Sequence, residues 1–475
     1  MSLRGPAPGA LDLVALEPAF LEPALRTYLA RQAWFHGDEF DATTLSKEIL
    51  WRAPAEQGPA LVWALVDSAG RRYQALLGVA HESLIAGRYG EPALVGPLAG
   101  GYLAYDALAD HDLCLALLEV ASDGRQRARL VRQTGDDRSR VSYLVYDDRL
   151  ILKLFRRLRD DPGPEPDVEA TMALDRVGFN HLPAPVASWH RGGRDLALAQ
   201  EFLVGGTEGW SLALTSLREL YASAEAASTE SGEPGAALET VALAGGDFGA
   251  EARRLGEMTA RMHLALAAAF GAEPGQAAEW VERAEAGLQA LAERGLLPGG
   301  SSPAPAREVL ERLAHADDLG MAIRPHGDYH LGQVMRTAIG WFVLDFEGTP
   351  DDPVGGPAAR RSPAWDVVGM LHSFRHAATT ARRERGPEET ESAVDLSRAW
   401  EQRNRGAFLQ GYLSTPDIAA LLPPRQAIFE AVLSAHSVEQ AAIGMTADWG
   451  EVPSQELERL LQAGEELSAS GEPPG

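Results

Sequence analysis

The sequence predicts an α+β chain of two lobes behind an N-terminal accessory subdomain. Three observations predict it. Between residues 125 and 155, apolar residues fall in three short runs separated by polar turns, the pattern of an antiparallel meander. From about residue 248 onward helical spacing dominates. One ribbon, PHGDYHLGQVMRTAIGWFVLDFEGTP at 325–350, interrupts that helical half and gathers acids, imidazoles and an amide.

Residues 1–110 form the accessory subdomain. FLEPALRTYLARQAW has helix spacing, and PALVWALVDSAG with RRYQALLGVA reads as two strands turned at Ser68-Ala69-Gly70. The first lobe, 111–203, holds RARLVRQ, VSYLVYD and RLILKLF, turned at TGDDRSR and at Asp147-Asp148. In the last of these strands Ile151, Lys153 and Phe155 share a face. Read alone, Lys153 is an edge-strand lysine facing solvent. PEPDVEATMALDRVGF starts as a helix does, with prolines ahead of Asp167 and Glu169. DLALAQEFLVGGTEGW is a strand broken at Gly205-Gly206. The second lobe, 204–465, is mostly helical. Residues 222–247 read as a mobile loop and 466–475 as a disordered tail. Two such lobes leave a cleft, where ligands usually bind.

A net charge of -25 disfavours nucleic acid and anionic membrane, both of which need a basic surface. The single cysteine, Cys114, lies in the apolar run LCLALLEV and reads as core, which excludes an internal disulfide. No apolar run approaches the length of a membrane span. The expectation is a cytoplasmic monomer acting on small molecules.

The ribbon carries the chemistry. GQVMR and GWFVLDF flank the turn TAIG, so the segment reads as a β-hairpin with Gln333 and Asp345 at its open end. An amide oxygen beside a carboxylate suits Mg²⁺. Asp328, on the preceding loop, is placed to accept a proton from a substrate hydroxyl. This spacing is what phosphoryl transfer needs.

HGDYHLGQV followed by WFVLDFEGTP resembles the maltokinase and maltokinase-like sugar kinases of actinobacteria. ILKLFRRL, QEFLVGGTEGW, LGEMTARMHLALAAAFG and RRSPAWDVVGMLHSFRHAA extend the resemblance over roughly residues 120–450. It implies a bilobal protein-kinase-like (aminoglycoside phosphotransferase-like) fold with an N-terminal cap, ATP as donor and Mg²⁺ as cofactor. Asp328 becomes the base, and Gln333 and Asp345 the metal ligands. Lys153 becomes the contact to the α/β-phosphates, with Glu169 as its carboxylate partner. Gln200, Glu201, Phe202 and Leu203 match the adenine hinge, and Thr207 lies near the ribose. Ser139 caps the phosphates, in a loop where Asp136 and Asp137 depart from the glycine-rich pattern. Glu347 faces the substrate or a second metal.

The acceptor segment is RQAIFEAVLSAHSVEQAAIGMTADWGEVP, where His436, Glu439 and Gln440 share a helix face and Asp448 and Trp449 follow. The family usually has an arginine-containing stretch here, and Tyr329 and Thr349 also depart from its pattern. These departures point away from maltose. The branch includes glucosamine kinases, and a carboxylate such as Glu439 or Asp448 suits an ammonium group. Glucosamine, phosphorylated at O6, is the expected acceptor. Maltose and an aminoglycoside antibiotic are the alternatives, and a nucleotide-binding regulator without turnover is the non-catalytic one.

Overall fold

The computed structural model describes residues 16–35, 41–54, 58–68, 70–85, 87–135, 140–231, 248–293, 304–348, 359–385 and 391–444. The chain divides into two compact units, Met1–Glu169 with Pro183–Val204 and Ala170–Leu182 with Gly205–Gly475. The first unit takes in both the expected cap region and the meander.

The first unit holds two sheets. One orders β1 (Asp41–Arg52), β2 (Ala60–Ser68), β3 (Arg71–His81), β5 (Tyr102–Asp106) and β4 (Leu94–Pro97). Gly70, at φ +76°, belongs to the expected β2–β3 turn, with Ser68 opposite Arg71. Helix Pro18–Leu29 buries Leu21, Leu25 and Leu29, four residues apart, in one cluster with Val62, Leu77 and Val79. The other sheet orders β10 (Pro185–Arg191), β11 (Arg194–Glu201), β8 (Leu150–Phe155), β7 (Val141–Tyr146) and β6 (Val131–Thr134). Directly after β8, β9 (Arg157–Leu158) pairs with β3 and ties the sheets together. Gln74 of β3 adds to the tie, donating to the Phe155 and Leu196 carbonyls at 2.6 and 2.7 Å. Cys114 is buried, as expected, and burial pushes its thiol up to about 12.

The second unit is mainly helical. It includes a small sheet of β12 (Thr207–Glu208), β15 (Val334–Thr337) and β16 (Gly340–Val343), and the pair β13 (Glu273–Pro274) with β14 (Met321–Ala322). Helices Gly249–Phe270 and Glu391–Leu413 touch backbone to backbone: a Cβ on Gly256 would meet the Phe408 carbonyl at 2.0 Å. Trp341, Phe374, Trp400 and Phe408 fill the core, each worth about 1.5–3 kcal/mol of burial. Helix Gly209–Ser231 runs through residues 222–231, expected as loop, because their alanines and glutamates favour helix. Residues 232–247 and the expected tail lie outside the described residues. No described helix is long and apolar enough to cross a membrane.

Candidate active site

The hairpin forms as the alternation predicts, with β15 and β16 in register from Val334 opposite Val343 to Thr337 opposite Gly340. The Leu344 amide donates to the Gln333 carbonyl at 2.9 Å, so Gln333 and Asp345 leave the hairpin at the same end. Both are half-buried. Asp345 has φ +54°, a left-handed conformation that costs an L-residue roughly 1–2 kcal/mol and that Asp tolerates better than most. Glu347 follows, also half-buried.

The loop before the hairpin is tied to a residue that the sequence reading missed. Asp366, in the first turn of helix Ala364–Glu384, is fully buried. Its Oδ2 accepts from the His326 amide at 2.8 Å and its Oδ1 from the Gly327 amide at 3.0 Å. His263 Nε2 lies 3.1 Å from Oδ2, and Tyr412 Oη lies 2.8 Å from His263 Nδ1. Burial works to raise the Asp366 pKa, but the hydrogen bond and charge of His263, the charge of His326 and the Gly327 amide hold it below the usual carboxylate value. Their signals were a lone acid in AWDVVG and a lone histidine in MHLAL, both polar breaks in apolar helices.

Other contacts fix the same loop. The Trp365 indole donates to the Gly327 carbonyl at 2.8 Å, and His326 Nε2 lies 2.8 Å from the Leu344 carbonyl. Tyr329 Oη and Thr259 Oγ1 are 2.8 Å apart. The backbone is held on both sides of Asp328, while the Asp328 side chain stays 35% exposed. A fixed backbone with an accessible carboxylate is what a base for an incoming hydroxyl requires. His330 lies beside it, 3.8 Å away, with burial holding its pKa below the ordinary histidine value.

In the first unit Lys153 lies on β8, between β11 and β7, and is 5% exposed, so the edge-strand reading fails. Its Nζ donates to Asp167 Oδ2 at 2.8 Å, and Asp167 is fully buried. The partner found at this distance is thus Asp167. Glu169, the partner expected from the resemblance, is half-buried on the same helix. At the end of β11 the Glu201 amide donates to the Ala184 carbonyl and the Phe202 amide to the Arg149 carbonyl, both at 2.9 Å. The Glu201 N–H is therefore engaged within the fold. The Leu203 amide has no acceptor among the described residues and remains open. Gln200 is buried, its side chain donating to the Pro183 carbonyl at 3.2 Å. In the second unit Thr207 is exposed, opposite Arg336. Ser139 lies outside the described residues.

The helix expected to meet the acceptor, Gln426–Gly444, corrects an expectation. Glu439 is 6% exposed and bonded to Arg361, with His436 Nδ1 3.3 Å from its other oxygen. Burial raises its pKa, but His436 and Arg361 together hold it below the usual value. Gln440 donates to the Trp365 carbonyl at 2.7 Å. The three residues do share a face, but it packs inside the unit, so Glu439 is not the free carboxylate expected for an ammonium. Asp448 and Trp449 lie outside the described residues. A pocket of about 320 Å³ lined by Glu273, Trp280, Arg283 and Arg360 includes none of the expected site residues.

Residues 28–110 match the family model described as the maltokinase N-terminal cap domain. A glucosamine kinase of Streptacidiphilus jiangxiensis is 32% identical over 302 residues, 61% of this chain and 62% of that protein. One of Mycolicibacterium smegmatis is 27% identical over 265 residues, 54% of this chain and 61% of that protein. The chain spans about three fifths of the length of these curated relatives. A solved glucosamine kinase (crystal form B) matches with a TM-score of 0.61 at 25% identity, over 88% of this chain and 94% of that one. A glucosamine kinase in complex with glucosamine, ADP and inorganic phosphate matches with a TM-score of 0.59 at 22% identity, over 90% and 94%. The chain carries a maltokinase N-terminal cap domain at residues 28–110 and has the mixed helix-and-sheet fold of the glucosamine kinases.

Proposed function

We propose that the protein transfers the γ-phosphoryl group of ATP to the 6-hydroxyl of glucosamine, with Mg²⁺ as cofactor. The observation that carries the reaction class is Asp328, accessible on a loop bonded to Asp366, followed by Asp345 at the end of the hairpin. Support for the substrate comes from two relatives named glucosamine kinases and from the match to a glucosamine kinase solved with glucosamine, ADP and inorganic phosphate.

In this reading Asp328 takes the proton of the acceptor hydroxyl as its oxygen attacks the γ-phosphorus. The new P–O bond forms as the bond to the β-phosphate oxygen breaks, and ADP leaves with that electron pair. Lys153 contacts the α/β-phosphates, and the Leu203 amide donates to adenine. Gln333 and Asp345 fit Mg²⁺: a neutral and an anionic oxygen, both hard ligands, leave the other positions for phosphate and water. Bound Mg²⁺ would neutralise phosphate charge. The protein's contribution is mainly positioning and fixed charge. Glu347 and Asp448 are the other carboxylates that the sequence suggests for the glucosamine ammonium.

Maltose is the second reading, because the cap matches a maltokinase family model. A coupled ADP-release assay over glucosamine, glucose, N-acetylglucosamine, maltose and kanamycin decides. Glucosamine should give the highest kcat/KM. A higher value with maltose selects the second reading, and ADP release with none of the five rejects both.

A further inference from the structure

Resting on the kinase reading above, we propose that His330 is a positioning residue for Asp328, acting as an imidazole locked in one tautomer. The Gly332 backbone amide lies 3.0 Å from His330 Nδ1. A backbone N–H can only donate, so Nδ1 carries no proton and the neutral ring keeps its hydrogen on Nε2. That nitrogen is the one facing the base, 3.8 Å from Asp328 Oδ2.

A second observation supports the lock. A Cβ on Gly332 would lie 2.8 Å from Cε1 and 3.0 Å from Nδ1 of His330, so only glycine leaves room for the ring in this place. His330 also starts the turn Leu331–Gln333, and its carbonyl accepts from the Gln333 amide at 2.9 Å. One residue therefore links the proposed base to the backbone of Gln333, whose side chain is the proposed metal ligand. At 3.8 Å the Nε2–Oδ2 contact is longer than a hydrogen bond, and catalytic contacts of this kind often tighten only once substrate is bound. A donor on one oxygen of Asp328 then turns the other toward the acceptor hydroxyl.

The competing role is a turn cap that acts through Nδ1 alone. The two nitrogens separate the roles. Asparagine supplies an acceptor near Nδ1 but no donor as far out as Nε2; glutamine supplies the distal donor and gives up the cap. The experiment measures kcat, KM for ATP and melting temperature of the full chain with glucosamine and MgATP. His330→Asn should keep its melting temperature and KM for ATP while kcat falls about tenfold or more, as expected for a misaimed base. His330→Gln should lose only about threefold in kcat, and Gly332→Ala, which displaces the ring, should resemble His330→Asn. Wild-type kcat in His330→Asn, or a greater loss in His330→Gln than in His330→Asn, overturns the assignment. A wild-type chain that releases no ADP with any acceptor rejects the kinase reading itself.

Discussion

Arg361 donates to Glu439 inside the second unit, and the two side chains keep only 3% and 8% of their surface exposed. The Arg361 guanidinium lies 3.9 Å from the Trp365 ring centroid, and the same Trp365 donates to the carbonyl of Gly327, next to Asp328. The polar face of helix Gln426–Gly444 thus supports the loop that carries Asp328.

Glu439→Gln should therefore act on stability before specificity. Removing a buried counter-charge costs about 3 kcal/mol or more. The preference for glucosamine over glucose should move little. Denaturant unfolding and the ratio of kcat/KM values check this. A tenfold loss of preference at unchanged stability would return Glu439 to the sugar pocket.

The acid limb of stability should depend on Glu439 and Asp366. Both are held below their ordinary values of 4.5 and 3.8 in the folded chain. A depressed folded pKa means that the unfolded chain binds protons first as pH falls. Their contribution is full above the ordinary values and is lost as pH falls through the folded ones. Unfolding free energy should accordingly be flat in these groups near neutrality and decline below about pH 4. Asp366→Asn should flatten that decline. It should also cost roughly 1–3 kcal/mol at neutral pH, because an amide cannot accept from both loop N–H groups and His263. A decline of unchanged steepness in Asp366→Asn would show that other groups cause it.

Lys153 serves Asp167 in the fold and phosphate in the proposed reaction. Lys153→Met should destabilise the chain by roughly 3–5 kcal/mol, because Asp167 remains fully buried without this cation. Adding Asp167→Leu should recover most of the stability and none of the activity. If the double variant regains turnover, Lys153 is structural only.

Local patterns in the chain were legible; long-range pairings were not. The hairpin follows from alternation and from the four-residue turn TAIG, both within a few residues, and so do Gln333 and Asp345 at its open end. Lys153 was legible as a cation among apolar neighbours, but its burial required β11, which pairs with β8 from some 45 residues away. Asp366 acts on His326 across 40 residues and on His263 across 103, and no local pattern encodes either contact. Glu439 shows a further limit. Three- and four-residue spacing puts it on one face with His436 and Gln440, yet cannot say whether that face meets water, sugar or Arg361.

Asp345 sets a conformational demand against a chemical one. At φ +54° the backbone favours glycine, whereas the proposed metal site needs a carboxylate. Asp345→Gly should therefore be more stable than Asp345→Ala by roughly 1 kcal/mol, since alanine keeps a Cβ in the left-handed region. Both should lose ADP release by about a hundredfold or more. Gln333→Ala should lose less, because a neutral amide contributes less than a carboxylate to holding a dication. Its activity should recover at higher Mg²⁺, and that of Asp345→Gly should not. Thermal melts and Mg²⁺ titrations of ADP release separate the two demands. Activity that survives EDTA in the wild type, or that persists in Asp345→Gly, would remove the metal from the mechanism.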